Sequence, residues 1–526
     1  MKLLPIPHWP LAAVFGLLLA SAVQGGINLQ IGNNFPGATL YTDAFTVPPD
    51  SDGAVGPSNF VVFVNGRFSV FDKVSAAKVQ TMSDAAFWAN AGVNLTGLSI
   101  SDTRVIFDPL SGRWFASQVD FNPSDEVSNR FLLAVSATAD PTGTWNGLAW
   151  PADPGGSFAD FPRLGLDAKG VYLTGNQFDG SGNFLGVLLT SIPKADLLLA
   201  TPTVTNRTTT GLMSESARGF SLQPAVNFNP TNNAEFVLST ESDGTDFLTH
   251  TNLLGFTVQN ADTATASFTA SSDIVVPGYF VPFNPPQPDG QNTLDDGDVR
   301  IGSYAMQVGD DVYATHAVQN GPRAVIRWYR IGASNQMLRE SGTISDTNLD
   351  LFYPSVAVNT NGFVVIGFNG CSTNTFISSY AVAGRTVDGV TVFSDKVLLQ
   401  AGAANYEVAP AGDNRWGDYS TTTVDTSNPS HFWTVQEYPS SANIWSVAVT
   451  EMIVTETPPV LNIAATGGQL QLSWPTNEAG FALQSATNLS PPVAWSAVTN
   501  AVAIAGTNNF VTVNNSAVMS YFRLVW

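Results

Sequence analysis

Four pairs of opposite charge stand out in a chain of which only 12% of the residues are charged. Asp102 and Arg104, Asp160 and Arg163, Asp298 and Arg300, and Arg415 and Asp418 each set a carboxylate close in sequence to a guanidinium. A guanidinium presents planar, bidentate donors suited to a carboxylate or sulfate. Arg104, Arg163, Arg300 and Arg415, with Asp102 and Asp298, are therefore read as substrate-binding residues. Two carboxyls flanking a glycosidic bond can act as acid and base, and Asp160 and Asp418 are candidates for that pair. Tyr419, next to Asp418, is a candidate nucleophile, with Glu437 and Tyr438 further along. A second reading of the same side chains is that they tie neighbouring strands together through ion pairs and bonds to backbone. Two acidic turns, Asp50-Ser51-Asp52-Gly53 and Asp295-Asp296-Gly297-Asp298, space hard oxygen donors as Ca²⁺ prefers. Asp50, Asp52, Asp295 and Asp296 are thus candidate ligands, although neither turn completes an EF-hand loop and both also read as solvated turns.

Other chemistries find little support. His250, His316 and His431 are the histidines beyond the leader, and no H-E-x-x-H or other close pair suits zinc. His316 reads as a buried histidine within a strand. A G-x-S-x-G nucleophile elbow and a P-loop are both missing. The single cysteine, Cys371, excludes an intramolecular disulfide and reads as a small residue in a turn.

The first segment, residues 1–25, carries Lys2, an apolar run from Leu11 to Ala20, and then Ala20-Ser21-Ala22, the pattern of a secretory signal cleaved near Ala22. The run is shorter than the ~20 residues that span a bilayer, and no later stretch is long and apolar enough to cross as a helix. The expectation is a protein that is secreted or associated with the cell surface. A formal net charge of −21 argues against nucleic acid as a partner. It favours neutral glycans, cationic ligands or Ca²⁺-bridged partners.

These side chains must be positioned by strands, because helical periodicity is nearly absent. Short runs rich in Val, Ile, Phe, Tyr and Thr alternate with period two and are separated by Gly, Asn, Asp and Pro turns. Asp84–Asn90 and Pro193–Leu199 alone look like helical turns. Similar units begin near Ala54, Asp102, Asp160, Phe220, Asp298, Leu351 and Arg415, at intervals of roughly 50 to 80 residues, the size of propeller blades with variable loops. The stretches Pro162–Thr174 and Pro354–Ile366 place their turn residues at equal offsets. The paired charges fall where the innermost strand of each blade starts, so they would ring one mouth of a central channel. The expected fold is all-β: a seven-bladed β-propeller over 54–455, preceded by an extension over 26–53. A linker over 456–469 would lead to a small C-terminal β-sandwich over 470–526. A pair of β-sandwiches in place of the propeller is the rival.

Several motifs add a resemblance. Pro48–Pro57, Ser136–Trp145, Phe158–Gly165 and Arg415–Ser420 resemble a family of secreted bacterial seven-bladed β-propeller proteins, sialidase-like in outline, over most of residues 45–450. The tail from Leu470 to Trp526 is similar to a module appended to many exported proteins of environmental bacteria. The resemblance implies fold and export and transfers no activity. Thr138–Trp145 looks like a degenerate Asp-box, in which the Asp holds a turn. The Arg-Ile-Pro entry motif typical of sialidases is missing, which counts against sialidase activity.

The expected function is binding or processing of an extracellular polysaccharide or glycoprotein glycan at the channel mouth, by a monomer, with Ca²⁺ as the one cofactor suggested. Two other expectations stand beside it: a non-enzymatic adhesion or surface-assembly module, and a polysaccharide lyase in which Arg neutralises a uronate.

Overall fold

The computed structural model describes residues 26–525 except 271–272, 289–291, 388, 409–413, 458, 467, 477–480 and 515–519. The segment read as a secretory signal, 1–25, lies outside the described residues. The chain divides into two compact units, one over Ile27–Thr455 and one that includes Glu456–Trp526.

The larger unit is a β-propeller. Its antiparallel pairings resolve into successive meanders, the first being Asp52–Val55, Asn59–Val64, Arg67–Asp72 and Lys78–Met82. The second runs over Ser99–Asp108, Arg113–Asn122, Asp125–Ser136 and Trp145–Pro151. Five more start with the strands Phe158–Leu166, Phe220–Asn227, Ala305–Val308, Asp350–Val358 and Thr421–Val424. Both faces of the inner strands are covered, so these read as nearly continuous buried runs rather than clean alternation.

Apolar clusters fill the spaces between consecutive meanders. Phe63 and Phe68 pack with Val105 and Trp114 between the first and second. Val365 and Ala383 pack with Phe432 and Met452 between the last two. Trp433 and Val447 then pack against Phe60 and Val62, which joins the last meander to the first and closes the ring.

Closure also uses a strand the sequence reading assigned to an extension. Gly26–Thr39 pairs with Ile444–Thr457 and completes the last sheet. Its alternation is visible in Ile27 and Leu29, which pack on the core, but its partner lies some four hundred residues away and no local turn announces it. Two short helices, Asp84–Asn90 and Lys194–Leu197, fall where helical turns are expected, and a third, Glu215–Arg218, is one the sequence reading does not anticipate.

At several inner strands the turn that follows is held by an Asp or Asn that also reaches the next meander. Asp167 accepts from the amides of Lys169 (2.8 Å) and Gly170 (2.7 Å) with one oxygen and from Asn232 Nδ2 (2.9 Å) with the other. Asp108 accepts from Lys194 Nζ at 2.9 Å. Asp425 caps its own turn through Ser427 N (3.0 Å) and accepts from Lys73 Nζ at 2.9 Å, linking the last meander to the first.

In the smaller unit, Asn462–Thr466, Gln469–Pro475, Asn508–Asn514 and Ala503–Ala505 form one antiparallel sheet. Ser496–Ala497, Ala482–Ala486 and Tyr521–Val525 form the other. Leu472, Trp474, Leu483 and Val511 make the core of this β-sandwich. Asn462–Thr466, inside the span read as linker, is one of its strands; its small alanines carry little hydrophobic signal.

Removing Lys73 leaves the Asp425 carboxylate buried without its cation. Lys73→Met is expected to cost about 3 kcal/mol of stability, read as a lower urea midpoint with an unchanged slope.

Candidate functional site

Each of several inner strands enters the axis through the same irregularity. The register slips between Ser101 and Arg104, Asp160 and Arg163, Phe220 and Gln223, and Phe352 and Ser355. Within these bulges Asp102, Phe161, Ser221 and Tyr353 have φ of 64°, 53°, 57° and 45°. A bulge bends the strand and re-aims its side chains, and a bulky residue in the left-handed region is costly unless its surroundings hold it there. Here the holds are visible: Phe161 N–H donates to Asp102 Oδ2 at 3.0 Å, and Asp102 N–H donates to Asn65 Oδ1 at 2.9 Å.

Two residues beyond the left-handed position, the side chain goes into the axis. Arg163 is buried and fully engaged. Its Nε donates to Gln223 Oε1 (2.6 Å), Nη1 to the Gly302 carbonyl (2.7 Å), and Nη2 to the carbonyls of Ile301 (3.0 Å) and Ser303 (2.8 Å). Arg104, fully buried, lies with its guanidinium carbon 3.2 Å from the Tyr419 ring centroid and Nη1 3.8 Å from Asp52 Oδ2. The roles expected for these two arginines as ligand clamps are therefore corrected: both are parts of a solid axial floor. Tyr419 is corrected with them. It is 3% exposed, stacks on Arg104, and donates its hydroxyl to the Thr103 carbonyl at 3.0 Å. Burial drives its pKa well above the ordinary tyrosine value, the opposite of what an activated nucleophile needs.

Above the floor lies the mouth. Arg300 is bound by Asp298, with Nε 2.7 Å from Oδ2, and sits 4.1 Å from the Phe161 ring centroid. Arg415, half exposed, donates through Nη2 to Asp418 Oδ1 at 2.8 Å and lies 3.5 Å from Asp295 Oδ2. Asp418 N–H donates to Asp50 Oδ1 at 3.1 Å. A small cavity, with room for about one water molecule (about 20 Å³), is lined by Asp296, Asp298, Arg300, Tyr353, Asp418 and Tyr419. Asp102 is buried beside it, accepting from Ser101 Oγ at 2.7 Å.

Asp160 differs from all of these. Solvent reaches it, and it makes no ion pair among the described residues. The wall of the mouth nevertheless strips much of its hydration, and Asp102 and Asp418 add repulsion that Arg300 only partly offsets. Together they push its pKa up to about 7. Burial also raises Asp50 strongly, with Asp418 and Asp102 adding to it, and raises Asp102, with Asp418 adding. Asp52 is pushed up to about 6 by burial, against Arg104 and the hydroxyls of Thr421 and Tyr304.

The four candidate calcium ligands do not form one site. Asp50 accepts from Asn65 Nδ2 (2.7 Å). Asp52 accepts from Tyr304 OH (2.7 Å) and Thr421 Oγ1 (2.6 Å). Asp295 faces Arg415, while Asp296 is buried with both carboxyl oxygens unpartnered and its pKa is driven up by burial and by Asp295. Among the described residues no group of three or more His, Cys, Asp or Glu converges to hold a metal ion.

Phe161, Tyr304, Gln223 and Asn65 were not singled out from the sequence. A signal for Phe161 exists: Asp102-Thr103-Arg104, Phe161-Pro162-Arg163 and Tyr353-Pro354-Ser355 each begin three residues after the start of their inner strand.

No protein-family model and no curated protein matches the chain. Solved structures of similar shape include a Dyadobacter fermentans protein of unknown function, with 10% identity and a TM-score of 0.38 over 69% of this chain and 96% of that one. A Fusarium graminearum α-L-arabinofuranosidase with an iminosugar inhibitor has 9% identity and a TM-score of 0.37, covering 80% of this chain and 98% of that one. Trypanosoma rangeli sialidase with sialic acid has 9% identity and a TM-score of 0.34, with 81% of each chain covered. The architecture itself rests on the strand pairings. Among the described residues no helix is long and apolar enough to cross a membrane.

Two expectations follow. In the fold Asp160 keeps its proton to about 7, whereas an unfolded aspartate loses it near ~3.9. Between those values the folded state binds more protons, so this group's contribution to stability falls as pH rises. Asp160→Asn should therefore raise the melting midpoint at pH 8 and leave it unchanged at pH 4. Arg163→Met leaves buried carbonyls without donors and should lower stability by about 3 kcal/mol in a urea titration, whereas Arg300→Met, at the solvated mouth, should cost distinctly less.

Proposed function

We propose that the mouth of the channel binds an extracellular glycan of neutral sugars and that Asp160 acts on it as a proton donor. The observation that carries this reading is the Asp160 carboxyl, open to solvent, free of any ion pair among the described residues, and protonated up to about 7. A neutral carboxyl at that position can donate to a hydroxyl or to a glycosidic oxygen, and a donor with a pKa near the working pH is suited to general acid catalysis. Asp418 is the carboxylate we assign as its partner, held by Arg415.

Charge supports neutral sugars over uronic or sialic acids. Arg104 and Arg163 are buried in the floor, and Arg300 and Arg415 are already engaged by Asp298 and Asp418. Arg104 Nη1 and Nη2 make no hydrogen bond but are buried, so an incoming carboxylate would meet Asp160 with no guanidinium that is both exposed and unengaged, and the lyase reading loses its clamp. The apolar run and A-x-A site of residues 1–25 support export, which is where such a glycan would be met.

The test is release of reducing ends, and of unsaturated uronate absorbance, on a panel of neutral and anionic polysaccharides. Turnover of a neutral member is expected, falling as pH rises through about 7. Asp160→Asn is expected to lower kcat roughly 10²- to 10⁴-fold with the fold intact. Binding without turnover would make the protein a glycan-binding module; turnover confined to uronate polymers, or no glycan binding at all, would overturn the proposal.

A further inference from the structure

Three exposed apolar side chains lie on loops that border the mouth and that neither the core nor the axial floor uses. Phe247 is 66% exposed, Leu248 60% and Phe283 56%. Scattered exposed apolar residues need no explanation, but a group beside a polar cleft marks a contact surface.

The loops are tied to the mouth by named contacts. The Val299 amide, next to Arg300, points to the Asp243 carbonyl at 3.5 Å. A Cβ on Gly244 would come within 3.0 Å of the Val281 side chain and 3.3 Å of Val299, so the loop carrying Phe247 packs against the one carrying Phe283. Phe283 N–H donates to Gln319 Oε1 at 2.8 Å, and Gln319 stands two residues beyond Ala317, which lines the mouth cavity. The backbone of Phe247 and the ring of Phe283 are also held in place. Phe247 has φ of 54°, inside a turn closed by its N–H to the Gly244 carbonyl at 3.0 Å. Phe283 packs edge-on to Phe280, with centroids 5.8 Å apart. A bulky residue kept in the left-handed region, with its ring in water, is strain that core packing does not explain.

We infer that Phe247 and Phe283 form an aromatic platform that receives further sugar units of a glycan chain leaving the mouth. The inference rests on the glycan reading of the mouth and extends it from one bound unit to a chain. Sugar rings present apolar C–H faces that stack on aromatic rings, while their hydroxyls stay in water, so fixed exposed rings beside a polar mouth suit a polysaccharide better than a single sugar.

The experiment is isothermal titration of the full mature chain with neutral gluco-, xylo-, galacto- and arabino-oligosaccharides of two and of six units. The wild type, Phe247→Ala, Phe283→Ala, Phe283→Tyr and Asp160→Asn are compared. For the ladder that binds, the six-unit ligand is expected to bind more tightly than the two-unit one. Each alanine variant should lose roughly fivefold to tenfold on six units and less than about twofold on two, while Phe283→Tyr, which keeps the ring, retains wild-type affinity. Asp160→Asn should weaken both lengths alike. Alanine variants that match the wild type on six units overturn the platform while leaving the mouth reading intact. A wild type that binds none of the ladders overturns both.

Discussion

The axis of this propeller is crowded by its own backbone. Inner strands converge there, and at least four enter through a bulge that sets an L-residue in the left-handed region. Bulges release ladder groups, and buried carbonyls without donors are costly. Arg163 answers this: one guanidinium, with donors in a fixed fork, serves three successive carbonyls, Ile301 to Ser303, on the approach to a distant meander. Arg104 closes the remaining gap by stacking on Tyr419. Arg104 and Arg163 together occupy the axis beneath the mouth.

That use of arginine sets the electrostatics above it. Two of the basic residues near the axis are removed from the mouth, and the other two are held by carboxylates. Acidic groups remain in excess, in a chain with a net charge of −21. Burial raises the pKa of Asp50, Asp102 and Asp160, and neighbouring carboxylates add to the rise. Asp50 and Asp102 are buried and accept hydrogen bonds from Asn65, Ser101 and Phe161. Asp160, by contrast, is reached by solvent.

Strand alternation, turn residues and unit length were enough to read the architecture, because each is a local pattern. The clustering of paired charges at strand entries was legible for the same reason. What local pattern does not contain is the partner. Arg163 and Arg300 look alike in sequence, each near an Asp at a strand entry, yet one finds Gln223 and three carbonyls while the other finds Asp298 and solvent. Likewise Asp50 and Asp52 sit two residues apart in a turn that suits calcium, but Tyr304 and Thr421, more than two hundred residues distant, claim Asp52. Gly26–Thr39 was missed because ring closure is a property of the whole chain.

One bulge performs two functions in the third meander. Asp160 still pairs in register with Asn176, and Arg163 pairs with Thr174, so the slip lies between them. Phe161 absorbs it with its left-handed backbone, fixed by Asp102, and the strand turns so that Arg163 enters the floor while Asp160 stays in the mouth. A proton donor must be held to a fraction of an ångström to be useful, and loops seldom achieve that. In the role proposed for Asp160, the residue next to it, Phe161, is pinned by its N–H bond to Asp102. Asp160 therefore adjoins a backbone position, Phe161, that Asp102 holds in the left-handed region.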